Sequence, residues 1–237
     1  MLIKRWDKLP EEFKCEEVRP YYEKLRKKNF VLFWIRFFDI LLSFILLSIL
    51  FLFFIILAIA IKIDSRGPIF YRQVRVTQYG KEFRIFKFRT MVNDADKKGS
   101  LVTTNNDARV TRVGKFIREL RIDEVSQLID VFRGKMSFVG TRPEVPMYVK
   151  QYKKEYLATL LLPAGITSLG SIMFKDEYAL LDGNKDVEKV YIEKVLPKKM
   201  KYNLSELKKV GLFHNIKIMF MTVFAVLGKE YKDKENE

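Results

Sequence analysis

Between Phe30 and Ile63 the chain reads FVLFWIRFFDILLSFILLSILFLFFIILAIAIKI, and the 22 residues from Ile40 to Ile61 carry no charge. A helix needs about 20 apolar residues to cross a hydrocarbon core. The run is apolar all round, which argues against a core helix with one wet face. It starts far from Met1, is long, and has no small-residue cleavage site after it, so it is not read as a signal peptide. Lys24, Arg26, Lys27 and Lys28 flank it on one side, and Lys62, Arg66, Arg72 and Arg75 on the other. Basic charge on both flanks gives no orientation under the positive-inside rule. A re-entrant helix that leaves Lys28 and Lys62 both on the cytoplasmic face satisfies both flanks; a straight span is the alternative. Arg36 and Asp39 lie one turn apart and are placed to pair near the interface.

The formal charge is +15, and it is unevenly spread. Residues 1–29 carry a net +3, residues 30–61 zero, residues 62–150 a net +9, and residues 151–237 a net +3 with no arginine. The central segment therefore holds both the excess and the arginines, the better bidentate phosphate ligands. Anionic partners follow: nucleic acid, phospholipid or phosphorylated substrates. One histidine, His214, and one cysteine, Cys15, exclude an internal disulfide, a clustered His/Cys zinc site and, in practice, a Ser-His-Asp machine. A lone thiol fits a reducing compartment. Chemistry here falls to carboxylates, cations, hydroxyls or a hard metal.

After Asp64-Ser-Arg-Gly-Pro, which is turn chemistry, residues 69–76 and 83–89 are β-branched and aromatic around Tyr79-Gly80. They predict a β-hairpin studded with Arg72, Arg75, Arg84, Lys87 and Arg89. No nucleic-acid module is recognisable, and the apolar anchor next door disfavours that partner. Residues 94–106 are polar and predict a flexible loop. Val113, Phe116, Ile117 and Leu120 take helical spacing, and Val125, Leu128, Ile129 and Phe132 repeat it before Gly134. Asp123-Glu124 falls at the break between these helices. It reads either as a helix cap or as a carboxylate pair able to attack phosphorus or hold Mg²⁺ beside Arg118 and Arg121. Spacing does not decide between them. The segment from Arg133 to Pro146, with Gly134, Gly140 and Arg142-Pro143, is a loop able to cradle phosphate. Leu212, Ile216, Met219, Phe220, Val223 and Leu227 form an apolar stripe, read as an interfacial helix in preference to a core one. His214 is read as structural or interfacial, and residues 230–237 as a disordered tail.

Taken in order, several of these segments are distinctive: Asp64-Ser65-x-Gly67-Pro68-x-Phe70-Tyr71-x-Gln73, Phe86-Lys87-Phe88-Arg89-Thr90-Met91, Thr111-Arg112-Val113-Gly114-x-x-x-Arg118, Asp123-Glu124-x-x-Gln127-Leu128, and Gly134-x-Met136-Ser137-x-Val139-Gly140-x-Arg142-Pro143. Over about residues 30–170 the chain resembles the bacterial sugar transferases, the monotopic polyprenyl-phosphate phosphoglycosyl transferases. The resemblance implies transfer of a sugar 1-phosphate from a UDP-sugar to polyprenyl (undecaprenyl) phosphate at the cytoplasmic face of the inner membrane, with UMP released. It assigns the nucleophile to Asp123, catalytic assistance in proton handling to Glu124, Mg²⁺ to Asp123 and Glu124, and substrate phosphates to Lys87, Arg89, Arg112, Arg118 and Arg142. Two departures stand out. The family's membrane helix usually carries a Ser-Pro break, whereas no proline lies between Pro20 and Pro68 here, and Ser43 and Ser48 are the residues able to bend the helix by bonding to backbone carbonyls. After Thr167 the chain reads SLGSIMFKDEYALL in place of a Gln-Val-x-Gly-Arg run, so residues around Lys175, Asp176 and Glu177 receive no family roles.

The expected fold is α+β: a membrane-inserted, re-entrant helix and a small helical cytoplasmic domain with a β-hairpin and amphipathic interfacial helices. The expected divisions are a basic segment over 1–29, the membrane helix over 30–63, the catalytic domain over 64–200, an amphipathic helix over 201–229 and the tail over 230–237. Expected partners are UDP-sugar, polyprenyl phosphate and membrane lipid, without nucleic acid; the oligomeric state, a homodimer included, stays open. The competing reading is a non-catalytic membrane-surface adaptor binding anionic lipid through the basic centre.

Overall fold

The computed structural model describes residues 1–95, 107–174 and 187–231. The expected loop over 94–106, Lys175-Asp176-Glu177 and the tail over 230–237 lie wholly or mainly outside them. The architecture is α+β, as the patterns predict.

Helix α1 (Arg19–Lys27) leads into the apolar run, which folds as α2 (Asn29–Ile49) and α3 (Phe51–Asp64) meeting at Leu50. Among the described residues α2 is the helix long and apolar enough to cross a membrane. The break at Leu50 (φ −85°, ψ 2°) needs no proline. Ser48 Oγ donates to Phe44 O (2.9 Å) and Ser43 Oγ to Ile40 O (3.0 Å), the back-bonding that bends helices. Arg36 and Asp39 do not pair with each other. Arg36 donates to the carbonyls of Val131, Phe132 and Met136, while Asp39 accepts from Ser137 Oγ (2.7 Å) and Phe138 N (3.4 Å). Three carbonyls of the neighbouring domain outcompete a local pair, because a buried backbone group short of partners is costly.

The hairpin forms as two short ladders. Strand β1 (Phe70–Tyr71) pairs with β4 (Lys87–Phe88), and β2 (Val74–Val76) with β3 (Glu82–Arg84), in the register Phe70↔Phe88 and Arg75↔Phe83. Left-handed Tyr79 and Gly80 (φ 59° and 71°) close its turn. Helix α4 (Arg112–Glu119) is capped by Thr111, whose hydroxyl accepts from Gly114 N (3.0 Å). The second periodic segment is tighter than its spacing predicts. Ile122–Gln127 is 3₁₀, and the α-helix α5 spans only Leu128–Phe132. Strand β5 (Met136–Val139) then pairs in parallel with β6 (Ala164–Thr167), followed by α6 (Leu169–Met173). A π-helical turn, Tyr191–Val195, opens into α7 (Leu196–Lys209), and α8 (Leu212–Val226) closes the described chain. His214 bonds Glu206 (2.6 Å), joining α8 to α7, in line with a structural role.

The largest core unites distant parts of the chain. Ile3, Phe13, Val18 and Leu25 of the N-terminal arm pack with Leu161, Tyr191, Leu196 and Met200. A separate cluster of Leu57, Ile61, Phe88 and Ile117 fastens α3 to β4 and α4. Helix α8 buries Ile218 and Ala225 and exposes Phe213, Phe220, Val223 and Phe224.

Candidate active site

Arg121 ends the α4 segment in the left-handed region (φ 53°, ψ 26°), unusual for a side chain with a Cβ. That reversal starts the 3₁₀ turn and brings Asp123-Glu124 beneath β4 and the loop after β5. Lys87 on β4 donates to Glu124 Oε1 (2.9 Å). Arg142, from the loop after β5, grips both carboxylate oxygens: Nη1 to Oε2 at 2.9 Å and Nη2 to Oε1. Burial pushes the Glu124 carboxyl up, but the Arg142 guanidinium and the Lys87 ammonium outweigh it and hold it well below the usual carboxylate range.

Asp123 is treated differently. Among the described residues its carboxylate accepts no hydrogen bond, so the capping reading finds no bond to rest on. Burial raises its pKa above the ordinary value, with Lys87 opposing and the Glu124 charge adding to the rise. Arg118, in the last turn of α4, is near enough for its charge to favour ionised Asp123. One carboxylate is thus saturated and its neighbour is open.

Lys87, Arg118 and Arg142 therefore converge on the pair. Arg89 and Arg112 do not. Arg89 is buried and donates to Ile61 O (3.3 Å), Ser65 O (2.6 Å) and Ser65 Oγ (2.9 Å), tying the end of α3 to β4. Gly67 makes room for it, since a Cβ there would lie 2.0 Å from the guanidinium. Arg112 stands exposed at the start of α4. A cavity of about 330 Å³ opens beside the pair. Leu46, Leu50, Phe138, Ile172 and Val226 form its apolar wall, and Glu124 and Arg142 its polar end. No motif marked Leu46 or Val226, which lie in runs where every neighbour is apolar too.

The model of the bacterial sugar transferase family matches residues 30–229. The chain belongs to that family. Relatives in sequence include the UDP-N-acetylgalactosamine-undecaprenyl-phosphate N-acetylgalactosaminephosphotransferase of Aeromonas hydrophila, 34% identical over 173 residues, 72% of this chain and 38% of the relative. The UDP-glucose:undecaprenyl-phosphate glucose-1-phosphate transferase of Klebsiella pneumoniae is 33% identical over 189 residues, 78% of this chain and 38% of the relative. An uncharacterized sugar transferase of Bacillus subtilis, EpsL, is 32% identical over 177 residues, 75% of this chain and 78% of the relative. The chain thus spans 38% of the length of the first two. The sugar transferase match includes Asp123, Glu124 and all three cations around them, and begins after the N-terminal arm.

Proposed function

We propose that this chain transfers a sugar 1-phosphate from a UDP-sugar to undecaprenyl phosphate and releases UMP, through a phosphosugar held on Asp123. The observation that carries the reading is the asymmetry of the carboxylate pair: Glu124 bridges Lys87 and Arg142, while the Asp123 carboxylate, beside the same cations, accepts no hydrogen bond among the described residues. In the first step an Asp123 oxygen attacks the sugar-linked phosphorus. The bond from that phosphorus to the bridging oxygen breaks, and UMP leaves with the electron pair. In the second step an oxygen of the lipid phosphate attacks the same phosphorus and the aspartyl oxygen departs, regenerating the carboxylate. Lys87, Arg118 and Arg142 offset the charge that gathers when an anion attacks an anion.

Mg²⁺ fits this site in part. Both Glu124 oxygens are engaged by cations, so Asp123, together with substrate phosphate oxygens, would hold it. Bound there, it would supply charge neutralisation at the diphosphate.

Both α2 and α3 return to one domain, which supports a re-entrant arrangement with the site at the cytoplasmic face of the inner membrane. The apolar cavity running from Leu46 and Leu50 to Arg142 offers the acceptor lipid an approach from the bilayer. Exposed Phe116 on α4, beside Lys115, Leu120 just past its end, and the outer face of α8 suit the headgroup region.

The test is the intact mass of the full chain in detergent after incubation with a panel of UDP-sugars. A gain of one sugar phosphate is expected, absent in Asp123→Asn and discharged by polyprenyl phosphate. UMP release by a wild-type chain that never carries the adduct would sink the two-step course.

A further inference from the structure

Two residues beyond Arg142, Glu144 turns away from the site into the protein. Its side chain is 7% exposed, and it meets Tyr191 (5%) and Lys199 (4%). Tyr191 Oη donates to Glu144 Oε1 (2.6 Å), Lys199 Nζ donates to Tyr191 Oη (3.2 Å), and Lys199 stands 3.6 Å from Glu144 Oε1. The backbone around Glu144 is held as well. Arg75 Nη1 donates to Pro143 O (3.0 Å), and Val76 N donates to Glu144 O (3.0 Å). Arg75 is itself fixed by Gln73 Oε1 (3.0 and 2.6 Å). Tyr191 opens the π-helical turn, a distortion that recurs at functional sites.

A buried ion pair contributes little net stability compared with an apolar replacement, so stability alone explains this cluster poorly. Its location explains it better. Pro143 is stiff and joins Arg142 directly to Glu144, so a shift of Glu144 carries Arg142 with it. We infer that Glu144, Tyr191 and Lys199 are positioning residues that set the Arg142 guanidinium against Glu124. This rests on the transferase reading of the site. None of the three is assigned to touch substrate.

The experiment is a double-mutant cycle on the full chain in detergent, read as kcat/KM for UMP release and as hydrogen exchange of the amides within residues 141–145, those of Thr141, Arg142, Glu144 and Val145. Tyr191→Phe removes one hydroxyl only. Lys199→Met alone would strand the Glu144 charge, so it is paired with Glu144→Gln. Each is made with and without Arg142→Lys. A misplaced group costs up to about 100-fold in rate. Tyr191→Phe is expected to lower kcat/KM about tenfold when Arg142 is present and less than about twofold in Arg142→Lys, because coupled residues are not additive. Exchange at 141–145 is expected to quicken about tenfold, the extent about 1.4 kcal/mol represents. Equal losses in both backgrounds, or unchanged exchange at 141–145, would overturn the inference. A wild-type chain that releases no UMP overturns the transferase reading instead, and exchange then judges the positioning by itself.

Discussion

Arg142 covers both oxygens of Glu124, and geometry of that kind depends on a planar fork. Arg142→Lys keeps the charge and loses the fork. It is expected to lower kcat/KM by roughly 100-fold, the low end of the range seen when one preorganised donor is removed; a loss under about twofold would mean that charge alone suffices. Asp123 carries the opposite sign. Burial and the Glu124 charge raise its pKa, so its ionised form opposes folding. That cost is fully present above the raised folded pKa and disappears as pH falls below the unfolded value. Asp123→Asn should therefore be inactive yet raise Tm at neutral pH by about 2–4 °C, the shift about 1 kcal/mol produces in a chain of this size. The gain should shrink on acidification, as thermal melts of both proteins across pH will check. The carboxylate pair was legible in the sequence because its neighbours recur in order. Arg89 and Arg112 were assigned to phosphate on the same ground, yet one anchors α3 and the other faces solvent. Motif membership names a residue type and a place in the chain, whereas the direction of a side chain depends on which packing partner lies opposite.

At the scale of elements, helix α2 is bolted to the domain by side chains it could not retain inside lipid. Arg36 closes three carbonyls at the end of α5 and the start of β5, beside left-handed Gly134. Arg36→Met leaves those acceptors without that partner, which costs about 2 kcal/mol. In a chain this long that is a fall in Tm of roughly 4–8 °C, measurable by thermal melting in detergent. A harsher change is available at β5–β6. Gly140 and Gly165 approach so closely that a Cβ on Gly165 would lie 2.1 Å from Gly140 N. Gly165→Ala must part the two segments behind Arg142 and is expected to destabilise by about 3 kcal/mol or more, among the larger single-residue effects. The hairpin, α4 and the stop at Gly134 followed from periodicity and turn chemistry. The N-terminal arm did not. Ile3, Leu9, Phe13, Val18 and Leu25 fit neither a helical nor a strand period, and six basic residues lie among them, so their burial depends on long-range partners in α7 and around Leu161.

For the whole molecule the proposed re-entrant arrangement turns on where the two ends of the apolar hairpin lie. A straight helix of the length of α2 would extend about 30 Å and carry its far end to the opposite face. Here Leu46 and Leu50, at that end, line the same cavity as Glu124 and Arg142, and Ile61 and Ser65 return to Arg89. Proline, the usual marker of a break such as that at Leu50, is absent, and the back-bonding of Ser43 and Ser48, the bending candidates the sequence offers, accompanies it instead. Lys28 is tied to the domain through Val210 O (2.6 Å), and Lys62 is exposed just before the turn that Arg89 grips. The proposed re-entrant arrangement thus places both on one side. In a Cys15→Ser background, Lys28→Cys and Lys62→Cys should each react with an impermeant thiol reagent from the cytoplasmic side only. Reaction of one of them from the opposite side would establish a full crossing. Net charge alone does not hold such a hairpin in place. Raising salt from about 0.1 M to about 1 M shortens the screening length from about 10 Å to 3 Å. It should loosen the contact of the +15 chain with anionic headgroups while the chain stays in the membrane fraction, since the apolar faces of α2 and α3 are indifferent to salt. Release of the chain by salt would place its anchorage in charge and remove the reason for the hairpin to enter the bilayer.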